Sequence, residues 1–539
     1  MCMAPGGMSE DARMSEAAAR PLLNVAETDR LRTTLDAHYT VDVVNATLDW
    51  EGQAALSRGD YAGAARALAG DPTSELIRLF LLAEPIETAV LERAVGRENA
   101  EALHRAGIVA TNGGTATARL ELRPYAESDA PSDADQTPAE SGWWVLSDFG
   151  SDVRPGPLSS DHVLGVGAAA LLLAQSTMRR PVERALDIGT GCGIQSLHLS
   201  RHCDRVTSTD ISLRALRFAA TSAALGGVEF DLREGSLLEP VAGEEFDLIV
   251  SNPPFVMSPG WSDETGGYTY RDGGLAGDEL CRRLVGGLPA RLRSGGTAQL
   301  LANWAITAGE EVGERVQSWL PDGVDAWIWQ REVADPGEYV SLWLRDGGEV
   351  PGTQAWRKRY NLWRDWFADA GIVAVGMGLI SLRRSDAAAR TLVFEDVPQA
   401  IEQPIGGEIS AWFDRGAWLA TYSDAEILQS AFRVAPDVVL RRDSAHSAAS
   451  SPVAGIGAPG WQTSALTLVQ RSGMRWELET DDAVAGLLAG CDGRTPLSLL
   501  VALLADSRGL SLDAVAVSLA PVVRDLVARG VLLPPASSR

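Results

Sequence analysis

Residues 184–195 read Arg-Ala-Leu-Asp-Ile-Gly-Thr-Gly-Cys-Gly-Ile-Gln, a short apolar run that ends in three glycines. The run predicts a buried strand. Gly189, Gly191 and Gly193 predict a tight turn from that strand into a helix, because glycine adopts positive φ without steric cost. Their missing side chains also let the backbone approach a ligand. This stretch therefore predicts an α/β fold with a ligand site at the end of the strand.

A second predicted strand, residues 205–210, ends in an acid about twenty residues beyond the turn, the spacing at which dinucleotide-fold proteins hold ribose hydroxyls. That acid, Asp210, has a plainer interpretation as a turn residue at the end of a strand. The glycine turn alone does not separate NAD from S-adenosylmethionine (SAM), since both cofactors use similar turns. The two strands together predict a nucleoside cofactor of either kind.

Residues 246–255 read Phe-Asp-Leu-Ile-Val-Ser-Asn-Pro-Pro-Phe and place a polar-proline tetrapeptide directly after another hydrophobic strand. Asn-Pro is also a common turn initiator, so a simple turn is the plainer interpretation. The tetrapeptide has no role in hydride transfer, which favours SAM over NAD. The predicted catalytic residues are Asn252, Pro253, Pro254 and Phe255.

These two stretches resemble the class I SAM-dependent methyltransferases, and within them the amino-methylating group that carries Asn/Asp-Pro-Pro-Phe/Tyr. The resemblance covers roughly residues 150–385 and implies a Rossmann-like, seven-stranded domain with SAM as its cofactor. It also implies that Asn252 and the Pro253 carbonyl accept both hydrogens of a planar amino group while Phe255 stacks on it. Two such acceptors free the nitrogen lone pair for attack on the sulfonium methyl, so no strong general base is expected.

The same resemblance implies the cofactor contacts. Asp187 would orient the methionine end of SAM, and residues after the third strand would meet the adenine. Ser236 stands where the family usually carries Asp, which leaves Glu234 as an alternative contact. The predicted SAM-binding residues are Asp187, Gly189, Thr190, Gly191, Gly193, Asp210, Ile211, Ser236 and Leu237.

Composition narrows the class of protein. The chain has 539 residues, a formal net charge of −25 and 45% hydrophobic residues, which indicates several soluble globular domains. A surface this acidic repels phosphate, so only a local basic groove would contact nucleic acid, and no membrane contact is expected. Five cysteines without paired or Cys-x-x-Cys spacing favour the cytoplasm and argue against a structural metal site.

The chain divides into five predicted segments. Two short helices and a hairpin that turns at Asn112-Gly-Gly indicate a winged-helix-like module near the N-terminus. Strands are also predicted at 298–302, 340–344 and 372–382 of the central domain. The segments are a disordered leader (1–24), a helical, winged-helix-like domain (25–125), an acidic linker (126–141), the methyltransferase domain (142–385) and an accessory domain with a helical end (386–539).

Two features of the sequence each have two possible interpretations. Residues 356–366 put aromatic side chains beside cations, which would suit nucleic acid, yet Trp356, Tyr360 and Trp363 fall at helical spacing, which favours a core stripe. His162 either approaches the active site or is a structural histidine, and the structural role is favoured. Both features bear on what the substrate is.

The sequence predicts an N-methyltransferase. Its first-ranked substrate is an exocyclic amine of a nucleobase, in RNA ahead of DNA, because Phe rather than Tyr after the two prolines resembles the nucleic-acid branch of this family. The second is the side-chain amide of a glutamine in a protein such as a release factor. It is supported by the acidic charge and by the Gly273-Gly274 loop, which resembles the Gly-rich stretch that follows this motif in release-factor glutamine methyltransferases. A small-molecule amine is third, and a SAM-binding scaffold without catalysis remains an alternative of another class.

Overall fold

The computed structural model describes residues 19–126, 142–260, 267–387, 390–447 and 460–535. The contacts divide the chain into two compact units, Met1–Pro398 and Gln399–Arg539. Residues 1–18 of the predicted leader and residues 127–141 of the predicted acidic linker lie outside the described residues. Leu23 of the predicted leader is buried in a hydrophobic core. In the part of the chain that is described, no helix is both long and apolar enough to span a membrane.

Four helices open the first unit: α1 Val25–His38, α2 Val41–Ser57, α3 Tyr61–Arg66 and α4 Pro72–Phe80. Each begins at a polar cap whose side chain accepts hydrogen bonds from first-turn amides, namely Asn24, Thr40, Asp60 and Asp71. A cap of this kind contributes about 1 kcal/mol. The buried faces of these helices belong to the same hydrophobic core as Trp143 and Phe218, which lie beyond the predicted linker. The N-terminal helices and the central domain therefore share one core.

The next elements are β1 Ile86–Glu87, α5 Thr88–Val95, α6 Arg97–Arg105, β2 Val109–Asn112, β3 Thr115–Ala118, β4 Glu121–Tyr125 and β5 Trp143–Ser147. The first three strands form an antiparallel sheet in the order β1-β3-β2, whereas β4 pairs with β5. The chain turns away from β2 after Ala118, where the Arg119 amide donates to the Ile108 carbonyl (2.7 Å). The two-helix and hairpin order agrees with the sequence pattern, and the winged-helix interpretation stays a prediction.

The central sheet has eight strands in the order β13-β11-β12-β10-β9-β6-β7-β8. Strands β6 to β9 are parallel to their neighbours, β10 is parallel to β9, and β12 runs antiparallel to β10 and β11. This sheet and its helices confirm the predicted Rossmann-like class I architecture. The strands are β6 Val182–Ile188, β7 Cys203–Asp210, β8 Asp231–Glu234, β9 Phe246–Ser251, β10 Leu292–Thr307, β11 Val324–Ala334, β12 Ile372–Arg384 and β13 Leu392–Asp396.

The sheet has one strand more than the seven predicted. The extra strand, β13, pairs in parallel with β11, with Leu392 opposite Ala326. Its Glu395 accepts a hydrogen bond from the Trp327 indole (2.7 Å). The domain boundary predicted after residue 385 therefore falls inside the segment that joins β12 to β13. The boundary between the two compact units lies after Pro398.

The helices that accompany the sheet are α7 Ala168–Ser176, α8 Ile194–Leu199, α9 Leu213–Gly226, α10 Thr269–Asp272, α11 Glu279–Gly287, α12 Val312–Gln317, α13 Pro336–Asp346 and α14 Gln354–Asp369. The strand predicted at 340–344 was wrong, because these residues lie in α13. Asp335 caps that helix and Pro336 occupies its first turn, a start signal for a helix. A short apolar run does not by itself separate a buried strand from a buried helix.

The aromatic stretch at 356–366 lies in α14. Trp363 and Phe367 are buried in a core cluster with Tyr339, and the rings of Trp356 and Tyr360 stack on each other at 4.8 Å. The helix packs against β12 and α13. The core interpretation of the aromatic spacing is thus confirmed.

The second unit contains a three-stranded antiparallel sheet, β15-β16-β17, and a two-stranded pair of β14 with β18. Its C-terminal helices lie where helical stretches were predicted, and their apolar faces surround Val523 and Val527. The elements are α15 Gly406–Thr421, α16 Asp424–Gln429, β14 Arg433–Val434, β15 Val438–Ser447, β16 Gly460–Gln470, β17 Glu477–Thr480, α17 Asp482–Ala489, α18 Leu497–Arg508, α19 Leu512–Ala528 and β18 Leu532–Leu533.

Candidate active site

The glycine turn joins β6 to α8 at the carboxyl edge of the sheet. Gly189, Gly191 and Gly193 have φ values of +73°, +56° and +86°, which L-residues with a side chain rarely adopt. A Cβ on Gly193 would lie 3.1 Å from the Ala219 Cα, whereas a Cβ on Gly191 would meet nothing within 4 Å. Gly193 therefore allows α9 to pack closely, and Gly191 leaves space beside the turn.

Asp187 lies beneath this turn and is fully buried. Its Oδ2 accepts hydrogen bonds from the Thr190 hydroxyl (2.8 Å) and the Ser196 hydroxyl (2.7 Å). Burial raises the pKa of this carboxyl to about 6. Its Oδ1 has no hydrogen-bond partner within the described ranges. Asp187 thus holds the glycine turn in shape through Thr190 and Ser196. This agrees with the expectation that it orients the cofactor indirectly, through the backbone of the turn.

Asp210 ends β7 and ties two loops together. Its Oδ2 accepts from the Gly191 amide (3.0 Å) and its Oδ1 from the Ser212 amide (2.8 Å). Burial raises the pKa of this carboxyl, and the backbone hydrogen bonds oppose that rise. Each oxygen still has a lone pair for another donor, because an ionised carboxylate has about four acceptor positions.

The tetrapeptide follows β9, which pairs with β6. The Ser251 hydroxyl donates to the Ile188 carbonyl (2.9 Å) and joins the ends of the two strands. The next side chain, Asn252, has a buried Oδ1 without a hydrogen-bond partner among the residues described. A buried carbonyl oxygen left unpaired costs about 1–3 kcal/mol, so this oxygen marks a position where a ligand donor is expected.

One cavity of about 390 Å³ connects the glycine turn with the tetrapeptide. Asp187, Gly193 and Phe255 do not line it. The Phe255 ring instead packs against Trp343, at 6.0 Å and an interplanar angle of 71°. The predicted site residues that do line the cavity are Gly189, Thr190, Gly191, Asp210, Ile211, Ser236, Leu237, Asn252, Pro253 and Pro254.

The cavity fits a nucleoside cofactor with a charged tail. The Asp210 carboxylate offers acceptors for ribose hydroxyls, and the glycine turn offers close backbone approach to the tail. Ile211 and Leu237 supply apolar surface on the same cavity. Ser236 also lines it, and Glu234, the alternative adenine contact, is absent from the lining residues.

Sequence reasoning missed several residues of the cavity wall, among them Gln195, Tyr270, Leu275 and Arg283. Tyr270 and Leu275 lie on either side of Gly273-Gly274, the loop that the sequence associated with a glutamine substrate. Gln195 and Arg283 gave no sequence signal, since each lies on an otherwise ordinary helix. These residues reach the cavity only through the packing of the sheet.

His162 also lines the cavity, although a structural role was favoured from the sequence. Its Nδ1 lies 3.7 Å from Asp148 Oδ2, and its ring lies 5.4 Å from the Tyr270 ring. Its buried Nε2 has no partner in the described part of the chain. Burial is the largest effect on its pKa, which is lowered. Burial thus disfavours the charged form of this imidazole beside the cavity.

The backbone after the tetrapeptide is held from two sides. The Val256 amide donates to the Arg271 carbonyl (3.1 Å), and the Met257 amide donates to the Tyr339 hydroxyl (2.8 Å). Arg271 forms a buried ion pair with Asp272 (2.9 Å). These contacts fix the segment that carries Tyr270 beside the cavity.

A known protein family matches the part of the chain that forms most of this cavity. Residues 155–266 match the family model of the methyltransferase small domain. Two other models, each described only as a domain of unknown function, match residues 36–119 and 410–534. The solved structure of a methyltransferase from Pyrococcus furiosus aligns with 40% of this chain and 80% of its own, at 17% identity and a TM-score of 0.24.

Two curated relatives cover the same region. The chain is 30% identical to ribosomal RNA small subunit methyltransferase C of Escherichia coli (strain K12) over 169 residues, which are 31% of this chain and 44% of that protein. It is 34% identical to release factor glutamine methyltransferase of Xylella fastidiosa (strain Temecula1) over 173 residues, which are 30% of this chain and 60% of that protein. The chain thus spans about half the length of these relatives.

Fold, cavity and family match together define a class I methyltransferase domain, and SAM is the cofactor of that class. The resemblance to class I SAM-dependent methyltransferases that the sequence indicated is confirmed at this level. Within the class, the domain is similar to enzymes whose names specify an RNA and a protein substrate.

Proposed function

We propose that this protein transfers a methyl group from SAM to the nitrogen of a planar amino group, with an exocyclic nucleobase amine in RNA as the first-ranked substrate. The observation that carries the proposal is the buried Oδ1 of Asn252, which has no hydrogen-bond partner among the described residues, on a residue that lines the same cavity as the glycine turn and Asp210. An amino hydrogen of the substrate satisfies this oxygen, and the Pro253 carbonyl is the natural acceptor for the other hydrogen.

The chain's own residues act on the nitrogen. Acceptors on both hydrogens draw the amino group out of the plane of its ring and direct its lone pair toward the cofactor. SAM supplies a methyl group that is activated by its sulfonium. The N–C bond forms as the S–C bond breaks, and the methylated nitrogen then loses a proton to water. Asp187 and Asp210 hold the glycine turn in place throughout.

RNA is ranked ahead of protein on two grounds. Phe255 follows the prolines, and one relative is named for ribosomal RNA. Glutamine methylation is the second candidate, because Gly273 and Leu275 of the Gly-Gly loop line the cavity and another relative is named for a release factor. Both substrates present a planar amino group to the same two acceptors.

The test is transfer of tritium from methyl-labelled SAM to a lysate of cells that lack the gene, with RNA, DNA, protein and small molecules counted separately. Label in a nuclease-sensitive RNA fraction supports the first candidate, and label in protein moves glutamine to first place. The reaction is repeated with Asn252→Ala and with Asn45→Ala, which removes an exposed carboxamide on α2. SAM binding without transfer to any fraction would refute the proposal and favour a scaffold.

A further inference from the structure

A second cavity, of about 490 Å³, opens between the N-terminal module and helix α9. We propose that this cavity, here called the arginine cleft, binds the phosphodiester backbone of the RNA substrate. The inference rests on the proposed function and adds a site for the part of the RNA that is not methylated. Three arginines line the cleft, Arg119, Arg214 and Arg217.

Two of these arginines have no acidic partner among the described residues. Arg119 and Arg217 are exposed, and neither guanidinium forms an ion pair or hydrogen bond with any described residue. In contrast, Arg214 is neutralised, since its Nη2 donates to Asp148 Oδ1 (2.6 Å) and its Nε lies 3.8 Å from Asp161 Oδ2. Within the part of the chain that the structure describes, the cleft therefore keeps two unpaired positive charges, on a chain of net charge −25.

The backbone that carries Arg119 is fixed. Its amide donates to the Ile108 carbonyl (2.7 Å), and its carbonyl accepts from the Arg154 guanidinium (3.4 Å). Arg217 is held by α9. A guanidinium is planar and donates in a fork that matches two phosphate oxygens. Two guanidinium groups on rigid backbone supports can therefore bind successive phosphates of a phosphodiester chain, which the net acidity of the protein would otherwise repel.

The cleft borders the cofactor cavity through the first turn of α9. Leu213 and Arg214 line the cleft, whereas Ser212 and Ala215 line the cavity. Asp161 lines the cavity and lies against Arg214. A strand whose phosphates occupy the cleft is thus next to the cavity that contains Asn252. The net acidity of the chain disfavours contact with nucleic acid elsewhere.

The experiment measures binding of the full chain to a fluorescein-labelled single-stranded RNA of about 20 nucleotides at several salt concentrations. The double variant Arg119→Ala with Arg217→Ala is compared with Arg58→Ala with Arg66→Ala, which removes two exposed arginines outside the cleft. Each lost phosphate contact lowers the slope of log affinity against log salt by about 0.7 for a single strand. The cleft variant should therefore bind about tenfold more weakly at physiological salt, and the control variant should bind as the wild type does.

SAM affinity serves as the folding check, because neither Arg119 nor Arg217 lines the cofactor cavity. Equal losses in the two variants, no loss in the cleft variant, or no RNA binding by the wild type would each overturn the proposal. Methyl transfer is scored separately: RNA that binds through the cleft while label enters protein refutes the first-ranked substrate and leaves the cleft in place.

Discussion

At the scale of single residues, Asn252 is the side chain on which transfer depends. We expect Asn252→Ala to lower kcat by about 10²–10³-fold, the usual effect of losing one aligned group at a reacting centre. SAM affinity should stay nearly unchanged, because the carboxamide is expected to bind the substrate. Single-turnover transfer and calorimetric titration with SAM measure the two effects. A parallel loss of SAM binding would contradict this division of roles.

Asp210 should show the opposite behaviour. Asp210 lines the cavity, and its carboxylate accepts hydrogen bonds from the amides of Gly191 and Ser212. Hydrogen bonds to a charged group contribute about 1.5–3 kcal/mol, so Asp210→Ala should weaken SAM binding by roughly ten- to a hundredfold. Calorimetry measures the change. An unaltered SAM Kd would remove the ribose contact from the proposed site.

Asp187 predicts a pH effect on stability. Its pKa is raised from 3.8 to about 6 by burial, so between these values the folded protein holds a proton that the unfolded chain has released. The contribution of this group to stability therefore falls as pH rises through that window, by about 3 kcal/mol in total. Asp187→Asn should accordingly gain stability relative to the wild type as pH increases.

Urea unfolding of the wild type and Asp187→Asn, at pH 5 and at pH 7.5, measures this difference. The comparison between the two proteins cancels the titration of the other acids. A difference in the free energy of unfolding that is the same at both pH values would show that Asp187 titrates normally.

At the scale of elements, the β6–α8 turn contains glycines with two different roles, one in helix packing and one in leaving space for the cofactor. Gly193→Ala places a methyl group against α9 at positive φ, so it should lower the free energy of unfolding by about 1–3 kcal/mol. Gly191→Ala has space for its methyl group and should cost less stability while it weakens SAM binding more. Chemical denaturation and calorimetry of both variants test the contrast, and identical profiles would contradict it.

The elements also show what local sequence determines. The glycine turn and the tetrapeptide could be placed from sequence because each is a short backbone signal next to a strand. The orientation of Phe255 could not, since it depends on contact with Trp343 from α13, a helix interpreted as a strand. Likewise, β13 and the approach of His162 to the cavity depend on partners far away in the chain, which no local pattern specifies.

At the scale of the whole molecule, the first unit contains every residue of the cofactor cavity. A fragment of residues 1–398 should therefore fold and bind SAM as the full chain does. A fragment that begins at residue 142 should not fold stably, because it loses the α1–α4 side of a shared core. Circular dichroism and SAM titration of both fragments check this, and a stable second fragment would show that the core is divisible.

The pairing of β6 with β9 brings Asp187 opposite Val250 across 63 positions of sequence. The glycine turn and Asn252 meet only when this long-range parallel pair has formed, and such pairs form slowly because closing the intervening loop costs entropy. Methyl-donor binding thus reports the completion of folding rather than an early intermediate. In a cell, the supply of SAM would act as a folding ligand that holds the newly made chain in its native state.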